Sequence, residues 1–348
     1  MKKRRIGLVI ISFILLLSTV LTGCGSQTAS TTAQSTKSTK LTKVRLQLKW
    51  LPQTQFAGYY VAKEKGYYKD EGIDIEIIPG GPDIVPEQQV SNGAADIGMT
   101  WVASLLSHQE EGFPLVELAQ ITQKSGLLLV SKKSANINSP KDLKGKKVGA
   151  WFGGLEFEIK ALLDKYNIDP DKDVELTKQG FTMDQLLNNQ IDAASALTYN
   201  EYLILLESGL KAEDLNVIDM NKEGVAMLED NLFANKDWVK DNKEVAAKFL
   251  KATLKGWKDV IKDPEGATDI VMKLVDTKST TRDHQLNMAK EVIKLVKPDG
   301  LDESKIGYIN KTSFQQTADI ALKFGVIKKK PDISKAYTNA ILDLANKK

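Results

Sequence analysis

The feature that most constrains the fold of this chain is a regular alternation of short strand patterns with helix patterns. In the strand patterns apolar and polar side chains alternate, whereas the helix patterns place apolar side chains three and four residues apart. The strand patterns cover residues 44–48, 73–78 and 95–99, and the helix patterns cover residues 55–65, 84–91 and 101–110. Strand and helix in succession predict an α/β lobe with a parallel sheet.

A second series of strands and helices follows the first. Residues 115–121 and 126–131 are two strand patterns that can carry the chain across to a second lobe. Further strand patterns cover residues 147–150, 173–177 and 191–196, and helix patterns cover residues 155–166, 183–189 and 199–209. Towards the C-terminus the pattern is helical. Because single cores stop growing at roughly 250–300 residues, we expect two lobes, one of residues 43–125 with 226–348 and one of residues 126–225.

Residues 1–24 have the composition of an export signal. Lysine and arginine precede an apolar run at residues 6–21, and residues 21–24, Leu-Thr-Gly-Cys, resemble the lipobox of bacterial lipoproteins. The run is shorter than the ~20 residues that span a bilayer, which disfavours a transmembrane helix. We therefore predict a signal peptide, lipidation of Cys24 and a flexible tether at residues 25–42. An ordinary cleaved signal with a chance cysteine is the alternative.

The composition excludes several kinds of chemistry. Cys24 is the only cysteine, so an intramolecular disulfide and a thiolate metal site are impossible. A histidine zinc site or a Ser-His-Asp relay would depend on His108 or His284, the two histidines of the sequence. The net charge of +3 is mixed along the chain, without a dense basic stripe, and we expect no nucleic-acid partner. We also expect no cofactor and no metal.

Aromatic and polar side chains follow several predicted strands at their carboxyl ends. Ligands of open α/β sheets bind at these ends, where helix N-termini present free amide groups. The candidate ligand-binding residues are Trp50, Gln53, Gln55, Tyr59, Thr100, Trp101, Ser125, Gly126, Phe152, Gly153, Tyr199, Asn200 and Glu201. Aromatic rings with a few placed polar groups suit a flat heterocycle. We expect Trp50 and Tyr199 to stack on it.

The other roles follow from residue type and position. We expect edge contacts from Gln53, Gln55, Thr100, Asn200 and Glu201, and contacts at the hinge from Ser125 and Gly126. Some candidates also have a purely structural interpretation. Trp50 and Trp101 can be core residues at strand ends, and only one of the adjacent Tyr59 and Tyr60 can face a cleft. Glu201 can serve the helix dipole instead of a ligand.

Three separated blocks of the sequence resemble the NMT1-like, or SsuA/ThiY-like, solute-binding proteins. They are residues 48–75, which contain Phe-Ala-Gly-Tyr-Tyr and Lys-Gly-Tyr-Tyr-Lys-Asp-Glu-Gly, residues 92–98, Asn-Gly-Ala-Ala-Asp-Ile-Gly, and residues 139–149. The similarity spans residues 44–209. It implies a type 2 periplasmic-binding protein fold, in which two mixed sheets flanked by helices form two lobes, joined by two crossover strands around the ligand.

The resemblance also implies a function. A member of this family binds a small ligand outside the cell and delivers it to the permease and ATPase of an ABC importer, and it is not an enzyme. With Cys24 lipidated, we expect the protein at the extracellular face of the cytoplasmic membrane. A ligand-sensing module that signals through a receptor is an alternative that the sequence leaves open.

The ligand within this family is less sharply defined by the sequence. Members that bind a thiamine pyrimidine precursor commonly have an acidic residue where this chain has Lys49, which cannot accept a hydrogen bond. Residues 53–60 and 79–84 are closer to relatives associated with riboflavin uptake. We therefore expect a flat vitamin or vitamin precursor, riboflavin-like or pyrimidine. Binding of a sulfonate or nitrate is the alternative, as is a pyrimidine synthase of the same fold, whose cysteine-rich motif this sequence lacks.

Overall fold

Two five-stranded sheets organise the protein in the computed structural model, which describes residues 41–152, 154–180 and 182–347. The predicted signal peptide, Cys24 and nearly all of the predicted tether lie outside the described residues. The strands are β1 (Thr42–Gln47), β2 (Ile73–Ile78), β3 (Ile97–Thr100), β4 (Leu115–Gln120), β5 (Leu127–Lys132), β6 (Lys147–Ala150), β7 (Glu175–Lys178), β8 (Ala193–Leu197), β9 (Leu215–Asp219) and β10 (Asn231–Asn235). Thr42, predicted as tether, is the first residue of β1.

The first sheet has the strand order β2-β1-β3-β10-β4. β1 pairs in parallel with β2 and β3, whereas β10 runs antiparallel to both β3 and β4. Val44 and Leu46 of β1 are fully buried, as the alternation of the strand pattern predicts. The expected parallel sheet is therefore present only in its first three strands, and the chain returns from the second lobe to make the sheet mixed.

The second sheet repeats this arrangement, with the strand order β7-β6-β8-β5-β9. β6 pairs in parallel with β7 and β8, and β5 runs antiparallel to β8 and β9. The chain crosses between the sheets twice, after β4 and again between β9 and β10. The predicted architecture of two mixed sheets flanked by helices is thus confirmed, whereas the residue boundaries of the lobes stay predictions.

Helices cover both sheets. The α-helices are α1 (Ala57–Glu64), α2 (Tyr67–Asp70), α3 (Pro86–Ser91), α4 (Val102–Glu110), α5 (Glu156–Lys165), α6 (Asp184–Leu187), α7 (Glu201–Glu207), α8 (Lys236–Asp241), α9 (Lys243–Lys262), α10 (Pro264–Met272), α11 (Arg282–Val296), α12 (Lys311–Lys323), α13 (Ile333–Ala336) and α14 (Ala340–Ala345). Short 3-10 helices cover Thr54–Phe56, Lys133–Ala135, Pro140–Leu143, Ala212–Asp214 and Glu303–Lys305. None of the described helices combines the length and apolar character needed to cross a membrane.

The C-terminal helices pack on the first lobe, and α9 is central to this packing. Its apolar stripe includes Phe249, Leu250 and Trp257, which are buried in the same core as β1 and α1. A Cβ atom at Gly256 would lie 2.1 Å from the carbonyl oxygen of Gly58 in α1. The two glycines therefore allow α1 and α9 to approach with their backbones nearly in contact.

Candidate functional site

A cleft of about 510 Å³ lies between the two lobes. Its walls come from the segments that follow β1, β2, β3, β6 and β8 at their carboxyl ends. Of the predicted site residues, the cleft is lined by Trp50, Gln53, Gln55, Trp101, Phe152, Tyr199, Asn200 and Glu201. The structure thus brings together candidates from both halves of the sequence, because the carboxyl ends of the two sheets face the same crevice. Their roles towards a ligand stay predictions.

A chain of hydrogen bonds orients the two glutamines of the first lobe. Gln53 Nε2 donates to Gln55 Oε1 at 2.6 Å, and Gln55 Nε2 donates to Asp230 Oδ2 at 2.7 Å. Asp230 precedes β10 and is only 2% exposed. Burial raises the pKa of Asp230 to about 6, although the bond from Gln55 and the charge of Lys49 oppose this rise. The amide of Gln55 is therefore held by a buried carboxyl group from a distant part of the chain.

Lys49 forms part of the same wall and lies against Trp101. Its Nζ is 4.3 Å from the centroid of the Trp101 ring, within the range of a cation–π interaction. Burial lowers the pKa of Lys49, and the negative charges of Glu87 and Asp230 oppose that effect. Trp101 also touches the second lobe, since a Cβ atom at Gly154 would lie 2.8 Å from its Cε3. Trp101 is therefore both a cleft residue and a contact between the lobes.

Glu87 is a buried acidic residue of the cleft, with 1% of its surface exposed. Its Oε1 accepts hydrogen bonds from Thr100 Oγ1 and Ser104 Oγ, both at 2.6 Å. His108 Nδ1 lies 3.9 Å from the same oxygen and 2.9 Å from the carbonyl oxygen of Ser104. Thr100 was expected to make an edge contact with the ligand. It is instead fully buried, and its hydroxyl group is engaged by Glu87 below the cleft surface.

The second lobe contributes a turn between β8 and α7. Glu201 Oε2 accepts a hydrogen bond from the backbone N–H of Leu197 at 3.0 Å, and its Oε1 accepts one from Asn200 Nδ2 at 2.8 Å. Burial raises the pKa of Glu201 to about 7. Tyr199 is 2% exposed, and desolvation raises the pKa of its phenol. Glu201 therefore fixes the turn that presents Tyr199 and Asn200 to the cleft.

Trp50 and Phe152 are accessible aromatic side chains that line the cleft from opposite lobes. Trp50 is partly buried against the first-lobe core, and Phe152 of the second lobe is 50% exposed. Next to Phe152, the indole N–H of Trp151 donates to the carbonyl oxygen of Gly180 at 2.9 Å. Gly153 lies outside the described residues. Trp50 and Phe152 thus offer aromatic faces from opposite lobes, and the partly buried Trp101 and Trp151 line the same cleft.

Tyr59 does not line the cleft. It is fully buried in the first-lobe core, where its ring meets Trp257 edge-on with centroids 6.0 Å apart. The reason is the direction of α1, which turns this face towards α9 instead of the crevice. The neighbouring Tyr60 is also buried and lies outside the cleft lining. The tyrosine pair therefore supplies packing to the lobe.

Ser125 and Gly126 do not line the cleft either and lie in the first crossover between the lobes. Ser125 Oγ is 2.8 Å from Glu229 Oε1 and 3.0 Å from Glu158 Oε2, and the N–H of Gly126 donates to Glu229 Oε1 at 2.8 Å. Burial raises the pKa of Glu229 to about 8 and the pKa of Glu158 well above its ordinary value. A hydroxyl group has one hydrogen to donate, so a protonated carboxyl group completes this buried cluster.

A second, larger groove lies on another face of the molecule. It has a volume of about 810 Å³ and runs between α5 and α12. Its walls carry ion pairs such as Lys165 with Glu223 and Lys323 with Asp164, and Phe324 is its single aromatic residue among those described. The crevice at the carboxyl ends of the strands, with its buried acids and two aromatic walls, is the better candidate for a ligand site.

Comparisons with known proteins give the family. The family model described as "NMT1/THI5 like" matches residues 53–267, which is more than half of the chain. This protein belongs to the NMT1/THI5-like family. One relative of this NMT1/THI5-like protein is the riboflavin-binding protein RibY of Chloroflexus aurantiacus, 24% identical over 93% of this chain and 95% of its own. Another is a formylaminopyrimidine-binding protein of Halalkalibacterium halodurans, 26% identical over 74% of this chain and 77% of its own.

Other relatives of the NMT1/THI5-like protein are enzymes or are known in structure. The 4-amino-5-hydroxymethyl-2-methylpyrimidine phosphate synthase THI11 of Saccharomyces cerevisiae is 28% identical over 64% of this chain and 68% of its own. The periplasmic aliphatic sulphonate binding protein SsuA from Escherichia coli superposes with a TM-score of 0.67 and 16% identity, covering 84% of this chain and 91% of SsuA. At that identity the likeness shows the fold alone, and it confirms the periplasmic-binding protein fold.

Four residues at or directly behind the cleft of this NMT1/THI5-like protein are not among the predicted site residues. They are Lys49, Glu87, Trp151 and Asp230. Trp151 stands beside Phe152 at a strand end, and this position was a usable signal. Glu87 and Asp230 gave no such signal, because their place at the cleft results from contacts across 13 and 175 residues of sequence.

Proposed function

We propose that this protein binds a flat, nitrogen-rich heterocycle in the cleft between its lobes and is the substrate-binding component of an ABC importer. The observation that supports this proposal is the cleft itself, where Trp50 and Phe152 offer aromatic faces from opposite lobes. Planar rings bind well between such faces because stacking buries large apolar areas. The relatives named for riboflavin and formylaminopyrimidine binding support the same class of ligand.

The polar groups around the cleft favour a ligand that donates hydrogen bonds. Two buried acidic side chains, Glu87 and Glu201, line it, and a third, Asp230, lies behind Gln55. Lys49 is the cation among the lining residues described. Carboxyl groups accept hydrogen bonds from amino or imide N–H groups, whereas a sulfonate or nitrate brings only acceptors. A desolvated anion beside these carboxyl groups would meet repulsion. An aminopyrimidine or a flavin therefore suits the site better than an inorganic or sulfonate anion.

The mode of action follows from the two-lobed architecture. The ligand binds to the open protein on one lobe, and the second lobe then closes over it because it gains contacts that exist only with ligand present. The predicted signal peptide and the lipid on Cys24 would hold the protein at the outer face of the cytoplasmic membrane. There it would present the ligand to the permease, and the ATPase would supply the energy.

We propose no catalytic activity for this chain, although synthases are among its relatives. The resemblance assigns a cysteine-rich motif to those enzymes, and Cys24 is the only cysteine of this sequence. A protein that binds and releases its ligand unchanged needs only the cleft and its closure.

The test is direct identification of the ligand. The chain with Cys24→Ser is purified without added ligand, and mass spectrometry identifies what it carries. Calorimetry then measures the affinities for riboflavin, formylaminopyrimidine and an alkanesulfonate. We expect tight binding of one of the two heterocycles and no measurable binding of the sulfonate. Tight sulfonate binding with no heterocycle bound would overturn the proposal, and recovery of a chemically altered pyrimidine would indicate an enzyme.

A further inference from the structure

His284 joins the two lobes at the edge of the cleft. It lies in the first turn of α11, which packs on the first-lobe core through Met288 and Val292. Its side chain is 9% exposed and points to α7 of the second lobe. There its Nδ1 is 2.9 Å from Glu207 Oε2, and its Nε2 is 3.0 Å from Asn200 Oδ1. One imidazole ring therefore contacts the second lobe at two points.

Both partners of this ring accept hydrogen bonds. The orientation of the Asn200 amide follows from its other contact, because Asn200 Nδ2 donates to Glu201 Oε1 at 2.8 Å. Its Oδ1 is therefore the atom that faces His284. The second partner, the carboxylate of Glu207, has only acceptor oxygens. A neutral imidazole has one N–H and one lone pair, so it can satisfy one of these oxygens and not both. The arrangement requires the imidazolium form, with a proton on each nitrogen.

We propose that protonated His284 is a positioning residue, which fastens the lobes together and holds Asn200 and Glu201 in the orientation that receives the ligand. The proposal deepens the proposed function and depends on it only for the ligand. Because Asn200 and Glu201 line the cleft, the contact between lobes and the ligand site share the same turn. Loss of the proton from His284 removes one of its two hydrogen bonds. We therefore expect the lobes to be held less firmly in alkaline than in acidic solution.

Other charged groups lie near this contact. On α7 these are Glu207 and Glu201, and burial raises the pKa of Glu201 to about 7. On α11 Arg282 pairs with Asp269 of α10 at 2.7 Å. The 3-10 helix Thr54–Phe56 meets α11 through the neutral side chain of Gln285. Since Glu201 also changes charge near pH 7, the pH profile of the wild-type protein reports more than one group. The comparison with the His284 variant separates the contribution of the histidine.

The first experiment needs no ligand. In the Cys24→Ser chain, spin labels on Asp171→Cys in the second lobe and Glu244→Cys in the first, both exposed positions, report the distance between lobes at pH 5.5 and pH 8.5. We expect a narrow distribution at pH 5.5 that broadens at pH 8.5. His284→Gln and Glu207→Gln should each give the broad distribution at both pH values. Identical distributions in wild type and both variants would overturn the proposal.

The matched control is Glu291→Gln. Glu291 is a carboxylate of the same helix, paired with Lys294 at 2.6 Å on the helix surface. This substitution removes one charge from α11 without touching the contact between lobes. It should keep the wild-type distance distribution and its pH dependence. A broad distribution of distances between the lobes in this control would mean that the overall charge of α11, and not His284, holds the lobes together. That result would also overturn the proposal.

The second experiment uses riboflavin as the probe. We expect His284→Gln to weaken riboflavin binding about tenfold at pH 6, the size of one charge-assisted hydrogen bond, and to flatten the pH profile of the affinity. If riboflavin binds to neither protein while the distances respond as expected, the contact stands and the proposed ligand is wrong. If riboflavin binds equally well to both across the pH range, His284 has no positioning role.

Discussion

At the scale of single residues, the proposed stacking of the ligand depends most on Trp50. It is partly buried against the first-lobe core and lines the cleft. Replacing Trp50 by Ala should weaken binding of the heterocycle by roughly 1–3 kcal/mol, the contribution of stacking between a base and an aromatic side chain. Calorimetry with the ligand identified by mass spectrometry measures this loss.

The control for Trp50→Ala is Trp238→Ala. Trp238 lies in α8, is partly buried like Trp50 and does not line the cleft. Both variants should keep the wild-type circular dichroism spectrum, and only Trp50→Ala should lose affinity. Equal affinity of Trp50→Ala and wild type would show that the tryptophan serves packing alone.

Glu229 is predicted to make stability depend on pH. Burial raises its pKa to about 8 in the folded protein, whereas an unfolded glutamate titrates near ~4.3. Between these values the native state binds a proton that the unfolded state has lost, so the free energy of unfolding falls as pH rises, by at most ~1.4 kcal/mol per pH unit for this group. Urea unfolding from pH 5 to pH 8 should show this fall, and Glu229→Gln should make it shallower.

The comparison for Glu229→Gln is Glu213→Gln. Glu213 lies on the 3-10 helix Ala212–Asp214, and its side chain is 72% exposed. Neutralising it should leave the slope of the free energy of unfolding against pH unchanged. A slope that stays steep in Glu229→Gln would assign the pH dependence to Glu158, Glu201 and Asp230, whose pKa values burial also raises.

At the scale of helices and strands, we expect the contact between α1 and α9 to tolerate substitution least. A Cβ atom at Gly256 would lie 2.1 Å from the carbonyl oxygen of Gly58 and 2.8 Å from the Cβ of Ala62. Gly256→Ala must therefore push the helices apart. It should lower the free energy of unfolding by about 1–3 kcal/mol, although alanine is the better helix former. Urea unfolding monitored by circular dichroism gives the value.

Gly180→Ala provides a comparison for the helix contact. A Cβ atom at Gly180 would meet only Gln185 Oε1, at 4.0 Å, so the unfolding midpoint should stay near that of wild type. An unchanged midpoint in Gly256→Ala would mean that the helices separate at little cost.

Local sequence patterns predicted some strands of this fold with their observed bounds and did not predict others. β2, Ile73–Ile78, was predicted with the residues that the structure gives it, because its side chains alternate between the core and solvent. β9 and β10 were missed. β10 is short and begins and ends with asparagine, and nearly all of it is buried between β3 and β4. Its strand character depends on partners more than a hundred residues away, so no local periodicity marks it.

At the scale of the whole molecule, the proposed closure of the two lobes can be measured directly. Small-angle X-ray scattering of the Cys24→Ser chain should show a smaller radius of gyration when the ligand is added, because the crevice closes around it. In Trp50→Ala the same decrease should require more ligand, in proportion to the loss of affinity. An unchanged radius at saturating ligand would mean that the lobes are already closed without it.

The sequence by itself determined the succession of strands and helices and the residues at the carboxyl ends of strands. It therefore identified Trp50, Gln55, Phe152 and Tyr199 as neighbours of one crevice, since strand ends in each lobe meet at one edge. These features are local, because the side-chain period of a strand or helix and the residue that follows it can be read within a few positions.

Only the tertiary structure decided which groups are buried and paired. It turned Tyr59 into the core, engaged Thr100 with Glu87, and placed Asp230 behind Gln55 across 175 residues of sequence. Burial and the approach of partners set the charge of each acidic group, and both depend on how distant segments fold against one another. The polarity of the cleft was therefore decided by packing, whereas its position was already determined by the order of the strands.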